Sequence, residues 1–401
     1  MTASKLTKRK FAAITLLNIS PLAWFFILII NLADIFAPMT PNNPDWVTYV
    51  GNSLLYGSAI FWSIAISFFG SKINRRHLLF TSIIMGLIST ALLGLLEGSF
   101  FASILSSLLG TSLGLGLPSS MALVADYTAI ENRGRVSGII ILSTFIVAFF
   151  SMAIYQMLQL DVLSLILILA VVRSIGLFSL VIEKFDKPPT TCEKIRLPNT
   201  TYKEFIFYLC PWVMFTIASS LARSLIIGEG YESELYLGTS LRYVFIAVFG
   251  LVSGFIADRF GRKHPIIFGL ATFGLGYLLL GFSMSGIMVI IYYALSGITW
   301  GLFFVVFLVI PGDLSIPSFH EKFYALGYIL PLTGILALSV IPVPNIPDII
   351  PKPLIAQILG FCLFLAMYPV FRAKETLTEK QVREREMKDY VKKVGKTVHE
   401  T

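Results

Sequence analysis

Four charged residues interrupt an apolar part of the sequence in SGFIADRFGRKHPIIFG, residues 253–269. They are Asp258, Arg259, Arg262 and Lys263. Gly254 would let the preceding helix pack closely against a neighbour, and Gly261 would permit a tight turn. Nearby cations and a facing helix N-terminus would stabilise the negative charge of the Asp258 carboxylate. Charges that only fix the orientation of the chain would explain the basic residues, but neither the glycines nor the acid.

The chain around this cluster is too apolar for a soluble protein. Its 401 residues are 56% hydrophobic and 13% charged, whereas about a quarter of the residues in a soluble domain are charged. Twelve apolar runs are long enough to cross about 30 Å of hydrocarbon as helices. They lie at about 11–33, 50–70, 78–96, 100–125, 137–158, 162–182, 204–227, 236–257, 265–282, 286–310, 323–341 and 353–371. The sequence therefore predicts an all-α membrane protein.

The net charge of +8 reflects an uneven distribution of basic residues. Of the 31 Lys and Arg, 27 lie in one alternate set of gaps between the apolar runs, and the other set holds only Lys352. This asymmetry follows the positive-inside rule and predicts that both termini are cytoplasmic. It explains the basic balance without a nucleic-acid partner. We expect a multi-pass plasma-membrane protein that keeps its first run, which exceeds the 7–15 apolar residues of a signal peptide.

A charged, proline-bearing segment at 183–203 separates six runs from six others. The sequence predicts an N-terminal bundle at 1–182, this cytoplasmic linker, a C-terminal bundle at 204–371 and a charged tail at 372–401. For the tail, an amphipathic helix on the membrane and a solvated segment are both open. The two halves match at a shift of 187 residues. At this shift Gly110, Gly114 and Asp126 meet Gly297, Gly301 and Asp313, and SKINRRH (71–77) overlies DRFGRKH (258–264).

The stretch from Gly254 to Lys263 matches in full the loop signature G-x-x-x-D-R-x-G-R-K of the major facilitator superfamily. The copy between the second and third runs is degraded, with Ser71 at the Asp position and Asn74 at the second Gly position. It keeps the basic residues Lys72, Arg75 and Arg76. The resemblance extends to ADYTAIENRGRVSG (125–138) and GDLSIPSFHEKFYALG (312–327). With the twelve runs and the repeat, the chain resembles this superfamily over nearly its whole length.

The resemblance implies twelve transmembrane helices in two pseudo-symmetric six-helix bundles. It also implies secondary transport or facilitated passage of a small organic solute, by alternating access to a site near the membrane midplane. In such proteins the signature loop acts as a cytoplasmic latch that forms in one state and is released in the other. The residues expected to control the state are Gly254, Asp258, Arg259, Gly261, Arg262, Lys263, Asp126, Arg133, Arg135 and Asp313.

Polar side chains at helical spacing are the candidates for the substrate cavity or an external gate. They are Asn31, Asp34, Asn52, Tyr56, Tyr155, Thr216, Ser220, Arg223, Arg242, Tyr292 and Ser296. Two roles are open for Arg223, because an ionisable group within a bilayer usually faces a cavity or a partner. It could pair with Asp34 as an external gate, or it could attract an anionic substrate together with Arg242.

Other functional classes receive less support. None of the 23 Asp and Glu lies near the middle of a run, so a coupling proton or ion is open but not indicated. His77, His264 and His320 lie in predicted loops, and the cysteines lack metal-ligand spacing. We therefore expect no enzyme, no cofactor and no metal site, whereas a non-transporting receptor or scaffold on the same fold stays open. The expected partners are a small solute and membrane lipid, and the expected state is a monomer.

Overall fold

A computed structural model describes residues 6–41, 46–69, 73–183, 185, 199–222, 231–317, 319–340 and 350–377. We number the long helices in chain order. The N-terminal half holds α1 (Lys8–Ile30), α2 (Asn52–Phe69), α3 (Arg75–Leu92), α4 (Ser99–Tyr127), α5 (Arg133–Met157) and α6 (Val162–Ile182). The C-terminal half holds α7 (Asn199–Ala222), α8 (Glu232–Phe260), α9 (Lys263–Phe282), α10 (Gly286–Leu314), α11 (His320–Val340) and α12 (Lys352–Leu365). A short helix, Met367–Arg372, follows α12.

Within these ranges, ten helices are long and apolar enough to cross a membrane. The other two long helices, α3 and α11, coincide with the apolar runs at 78–96 and 323–341. The path from α1 to α2 includes the helix Leu32–Phe36, the 3-10 turn Ala37–Met39 and the π-helical turn Val47–Gly51. The prediction of an all-α membrane protein is confirmed for the described residues, and their twelve long helices are compatible with two six-helix bundles.

Several helices continue beyond the apolar runs that predicted them. The run at 100–125 becomes α4, which ends at Tyr127, and the run at 286–310 becomes α10, which ends at Leu314. Similarly, α8 continues to Phe260 and α5 begins at Arg133. Charged residues that sequence reasoning placed in gaps therefore lie on helices, where the helix geometry fixes the direction of each side chain.

Glycines set the closest helix contacts inside each half. A Cβ on Gly110 would lie 2.0 Å from the carbonyl oxygen of Leu55, and one on Gly297 would lie 2.6 Å from that of Arg242. The same arrangement recurs one turn further on, at Gly114 with Ala59 and at Gly301 with Ile246. Each contact in the first half has its counterpart 187 residues later. Thus α4 packs on α2 as α10 packs on α8, and the sequence repeat is a repeat of packing.

The halves meet along two seams. In the first, α5 crosses α8, where a Cβ on Gly138 would lie 3.1 Å from the carbonyl oxygen of Gly250. Further along, the rings of Phe145 and Tyr243 stack with centroids 6.1 Å apart. In the second seam α11 packs on α2, and the two helices share a hydrophobic core cluster that contains Leu55, Tyr56, Ala59, Ala325, Ile329 and Leu332. We call the end of the molecule that carries residues 258–263 the signature end.

Candidate functional site

Asp258 lies near the end of α8 and is fully buried. Its two carboxylate oxygens accept hydrogen bonds from the backbone N–H groups of Gly134 at 2.9 Å and Arg135 at 2.8 Å. These groups belong to the first turn of α5, where unpaired N–H groups and the helix dipole favour an anion. Arg262 donates to the same carboxylate at 2.7 Å. Asp258 therefore joins the C-terminal half to a helix N-terminus of the other half.

Two glycines allow this close approach. A Cβ on Gly254 would lie 2.4 Å from the carbonyl oxygen of Gly134. A Cβ on Gly134 would lie 2.5 Å from Oδ1 of Asp258 and 2.7 Å from the carbonyl oxygen of Gly254. Because real Cβ atoms do not come so close to other atoms, alanine at either position would force α5 and α8 apart. The signature glycine serves the approach of α5 to Asp258.

Arg262 lies between α8 and α9 and is fully buried. Its Nε donates to Oδ2 of Asp313 at 2.9 Å, and its Nη2 donates to the carbonyl oxygen of Ile130 at 2.6 Å. Burial alone would lower the pKa of Arg262, but the carboxylates of Asp313 and Asp258 raise it above its ordinary value. The guanidinium is therefore a permanent charge. Its partners satisfy the requirement that a buried charge be paired and hydrogen-bonded.

Asp313, near the end of α10, holds a second arginine. Nη1 of Arg133 donates to Oδ1 of Asp313 at 2.7 Å. Nη2 of Arg133 also donates to the carbonyl oxygens of Ala125 at 2.9 Å and Thr128 at 3.2 Å. The Asp313 side chain is fully buried and that of Arg133 nearly so. One buried carboxylate thus pairs with an arginine from each half. We call Arg262, Asp313 and Arg133 the first triad.

A second group of ion pairs lies on the other side of the signature end. Arg75, at the start of α3, pairs with Asp126 on α4. Its Nε also donates to Oε1 of Glu321 on α11 at 2.6 Å. Nδ1 of His320 lies 2.7 Å from Oδ1 of Asp126, and this contact is an ion pair only when the histidine is protonated. We call Arg75, Asp126 and His320 the second triad; it too joins the two halves.

The two triads are related by the 187-residue repeat. Arg75 corresponds to Arg262, Asp126 to Asp313, and His320 to Arg133 across the opposite boundary. Sequence reasoning identified both aspartates, Arg133 and Arg262. It noted Arg75 only as a basic residue of the degraded signature copy, placed His320 in a loop and did not select Glu321. The repeat contained the signal, because the counterpart of Arg133 in the same frame is His320.

The segment after the last helix completes the signature end. The carboxylate of Glu375 accepts hydrogen bonds from the backbone N–H groups of Arg262 at 2.8 Å and Lys263 at 3.2 Å. It therefore caps the N-terminus of α9. Gly261 has φ +106°, and a Cβ there would lie 2.6 Å from this carboxylate. Thr376 donates to Asp313 at 3.2 Å. The predicted amphipathic helix of the tail falls almost wholly on residues outside the described part of the chain.

Three predicted latch residues lie at the margin of this network. Nε of Arg135 is 3.8 Å from Asp258, and its side chain is 46% exposed. Arg259 lies over the ring of Phe260, 5.5 Å from its centroid. Lys263 takes part through its backbone N–H. The described contacts thus centre on Asp258, Arg262, Asp313 and Arg133, while Arg135 and Arg259 lie at the surface.

A cavity of about 140 Å³ lies between the halves, walled by α1, α4, α7, α10 and α11. Its wall includes Phe25, Phe26, Met121, Trp212, Trp300 and Phe304. The rings of Phe26 and Phe304, one from each half, lie 5.3 Å apart, and those of Trp212 and Phe307 stack at 4.5 Å. Among the residues that the structure describes, no charged side chain lines this cavity. The wall is aromatic and aliphatic.

Of the polar residues that sequence reasoning selected, Thr216 lines this cavity. Tyr56 is buried on α2 behind Phe25, with ring centroids 6.5 Å apart. Ser220 donates to the carbonyl oxygen of Thr216. Tyr292 and Ser296 are buried in the C-terminal half, where the hydroxyl of Tyr292 donates to that of Tyr277 at 3.3 Å. Most of these hydroxyls serve helix packing.

The two charged candidates that the structure describes, Asp34 and Arg242, do not line the cavity. Asp34 is exposed on the short helix that follows α1, and Arg223 lies outside the described residues, as does the predicted pairing of the two. The guanidinium of Arg242, on α8, lies 5.5 Å from the ring centroid of Trp300. Asn31 donates to Met152 at 3.3 Å. The remaining candidates, Asn52 and Tyr155, are partly buried at the ends of α2 and α5 distant from the signature end.

Arg173, for which the sequence indicated no role, crosslinks the N-terminal half. It is fully buried on α6. Its Nη2 donates to the hydroxyls of Ser82 and Ser112, each at 2.9 Å, and its guanidinium lies 5.1 Å from the ring centroid of Trp24. No carboxylate of the described chain pairs with it. Serine oxygens and an aromatic face therefore take the place of a counter-ion.

The fold is similar to that of a solved transporter. A crystal structure of the human organic anion transporter MFSD10 (TETRAN) matches with a TM-score of 0.65, over 90% of this chain and 99% of that chain. The sequences are 13% identical, so the likeness extends to the fold alone. No protein-family model and no curated protein matches the sequence.

Proposed function

We propose that this chain moves a small organic solute across a membrane by alternating access. The observation that carries the proposal is a central cavity between two pseudo-symmetric halves whose signature end is closed by buried ion pairs. Among the described ion pairs at this end, four join one half to the other: Arg75–Glu321, Arg133–Asp313, Arg135–Asp258 and His320–Asp126. A rocking motion of the halves would break them and expose the cavity to the signature end, whereas their formation would close that route.

The distribution of basic residues supports one orientation of the chain in the membrane. We place the signature end and both chain termini in the cytoplasm of a cell whose plasma membrane holds the protein, because 27 of 31 basic residues lie on that side. The working unit is taken as one chain, with the halves 1–182 and 204–371 joined by the linker 183–203 and followed by the tail 372–401. A cysteine at Asn43 should react with an impermeant reagent from outside, and one at Thr191 should not. The reverse pattern would overturn the orientation.

Two-sided access to one cavity position tests the proposal. Thr216 lines the cavity, so Thr216→Cys should be made in a chain whose Cys192, Cys210 and Cys362 are serines. Alternating access predicts reaction with a membrane-impermeant methanethiosulfonate in right-side-out vesicles and also in inside-out vesicles. Ser82→Cys is the control, because Ser82 is buried in the interior of the N-terminal half and should react from neither side.

A fixed scaffold or receptor on the same fold would behave differently. Its cavity would be accessible from one side at most, so labelling of Thr216→Cys from a single face would contradict the transport proposal. The structural neighbour is described as an organic anion transporter.

A further inference from the structure

The chemistry of the central cavity wall restricts what it can hold. Among the described residues of the wall, none carries a formal charge. An ion that left water for this cavity would lose its hydration and find no counter-charge, a cost that in practice excludes it. Polarisable rings and aliphatic groups form most of the surface instead. The wall therefore favours an uncharged occupant.

The hydrogen-bonding groups of the wall are almost all used by the protein. Thr216 donates to the carbonyl oxygen of Trp212 at 2.7 Å, and Tyr324 donates to that of Leu308 at 2.7 Å. Trp300 donates to the hydroxyl of Ser219 at 3.2 Å. The hydroxyl of Tyr328 differs, since it is buried and has no hydrogen-bond partner among the described residues. A buried polar group left unpaired is costly, and an occupant with one hydroxyl or carbonyl would satisfy it.

The size of the cavity indicates an aromatic ring. Its volume of about 140 Å³ is close to that of an engineered apolar cavity of about 150 Å³ that stays dry and binds benzene. The rings of Trp212 and Trp300 lie edge to face with centroids 5.8 Å apart, and Phe26 and Phe304 meet across the halves. Such surfaces favour offset or edge-to-face contact with another ring.

One described cation, Arg242, lies behind the wall. Arg242 lies against the ring of Trp300, is partly buried and pairs with no described carboxylate. Its charge disfavours a cationic occupant. It does not line the cavity, so it offers an anion no direct hydrogen bond there. We propose that the cavity binds an uncharged, largely apolar molecule with an aromatic ring and one hydrogen-bonding group that pairs with Tyr328.

This inference names the substrate class of the proposed transporter and rests on that function, but its test does not require transport. The probes are 4-nitrobenzyl alcohol, 4-nitrobenzoate and 4-nitrobenzylamine, which share a ring and are neutral, anionic and cationic at pH 7. Their binding to purified protein in detergent is followed by quenching of tryptophan fluorescence, because Trp212 and Trp300 line the cavity. The alcohol should bind at least tenfold more tightly than either ion. Equal or tighter binding of an ion would overturn the proposal, and a preference for the benzoate would shift the site to Arg242.

The role of Tyr328 is tested with 4-nitrotoluene, which lacks the hydroxyl of the alcohol. In the wild type, the alcohol should bind more tightly than the toluene, and Tyr328→Phe should reduce this ratio by roughly fivefold, as expected for one hydrogen bond. Tyr292→Phe is the matched control, because Tyr292 is a buried tyrosine outside the cavity. An unchanged ratio in Tyr328→Phe would remove Tyr328 from the site. If the alcohol binds as expected but Thr216→Cys is labelled from one side only, the substrate class stands and the transport proposal fails.

Discussion

The two triads at the signature end have the same plan but different strengths. In the first, Asp313 pairs with Arg133 and Arg262, and all three side chains are 5% exposed or less. In the second, Asp126 pairs with Arg75 and with His320, whose contact is an ion pair only when the histidine is protonated. The side chain of Asp126 is 11% exposed. Equivalent positions of the repeat therefore carry a permanently charged arginine in the first triad, Arg133, and a histidine that is charged only when protonated in the second, His320.

In each triad one arginine has a second carboxylate partner, and these two partners come from different halves of the molecule. Arg262 has a second carboxylate, Asp258, four residues earlier on its own half. Arg75 has Glu321, which comes from the opposite half, while Ser71 occupies the position equivalent to Asp258. The first triad therefore concentrates buried, permanent charges around one carboxylate, whereas the contacts of the second involve two carboxylates and a histidine that is charged only when protonated. We infer that the first triad does most to hold the signature end closed.

One reporter pair measures this difference. His77 and His264 are exposed, lie in opposite halves and correspond in the repeat. Spin labels on cysteines at these two positions, in a chain without native cysteines, give the distance between the halves at the signature end. A short distance reports the closed arrangement and a long distance the open one.

The largest effect is expected from Asp313→Asn. This substitution leaves Arg133 and Arg262 buried without their shared carboxylate, and the loss of one partner of a buried ion pair costs about 3–5 kcal/mol. The distance between the labels should shift almost completely to the long population. Asp126→Asn is the matched control and should shift it less, because Arg75 keeps Glu321 of the opposite half, whereas Arg133 has no second carboxylate among the described residues. A larger shift in Asp126→Asn than in Asp313→Asn would reverse the ranking of the triads.

Asp258→Asn should have the next largest effect. The change removes the charge that faces the N-terminus of α5 and one of two carboxylates on Arg262, and hydrogen bonds to charged groups are worth about 1.5–3 kcal/mol. The long distance should become populated and solute turnover should slow. Binding of 4-nitrobenzyl alcohol should be retained, because Asp258 lies outside the cavity wall. A distance distribution identical to that of the wild type would mean that Asp258 does not hold the halves together and only helps to fix the orientation of the chain in the membrane.

The first triad was more accessible to sequence reasoning than the second. The signature identified Asp258 and Arg262, and the repeat added Asp313 and Asp126. His320 lies at the position equivalent to Arg133, but a comparison that looks for identical residues does not pair a histidine with an arginine. Glu321 was missed because α11 begins earlier than its apolar run, and hydropathy does not locate a helix end whose charges find buried partners.

The cavity was the least predictable feature. Polar side chains at helical spacing are the residues that the sequence suggests for it, but the described wall is built from residues such as Trp212, Phe304 and Phe26. In a membrane helix an aromatic residue can face lipid, a neighbouring helix or a cavity, and composition does not separate these cases. The hydroxyl of Tyr328 became informative only when its lack of a partner was visible.

A smaller effect is expected where α5 crosses α8. Gly254→Ala would place a methyl group 2.4 Å from the carbonyl oxygen of Gly134, and overpacking of this kind costs about 1–3 kcal/mol. The closed arrangement should be weakened near Asp258, with a partial shift to the long distance. Gly57→Ala is the control, because nothing lies within 4 Å of a Cβ at that position. Equal shifts in the two variants would mean that the close approach does not hold the seam.

The smallest effect should come from making the second triad more like the first. His320→Arg places a permanent cation beside Asp126, at the position where the repeat has Arg133. A charge-assisted hydrogen bond is stronger than a neutral one by about 1 kcal/mol, so the ratio of closed to open molecules should increase by roughly fivefold. His320→Gln is the counterpart of similar polarity that is never charged, and it should decrease that population. The expected order is therefore arginine, wild type, glutamine, from most closed to least closed.

If both variants open the signature end equally, the shape of the imidazole matters more than its charge, and the equivalence of His320 and Arg133 is positional only. The double variant Asp313→Asn/His320→Arg tests whether the two triads act in the same way. If it recovers part of the short-distance population, charge added to the second triad compensates for charge lost from the first, and the two triads are equivalent in action as well as in position.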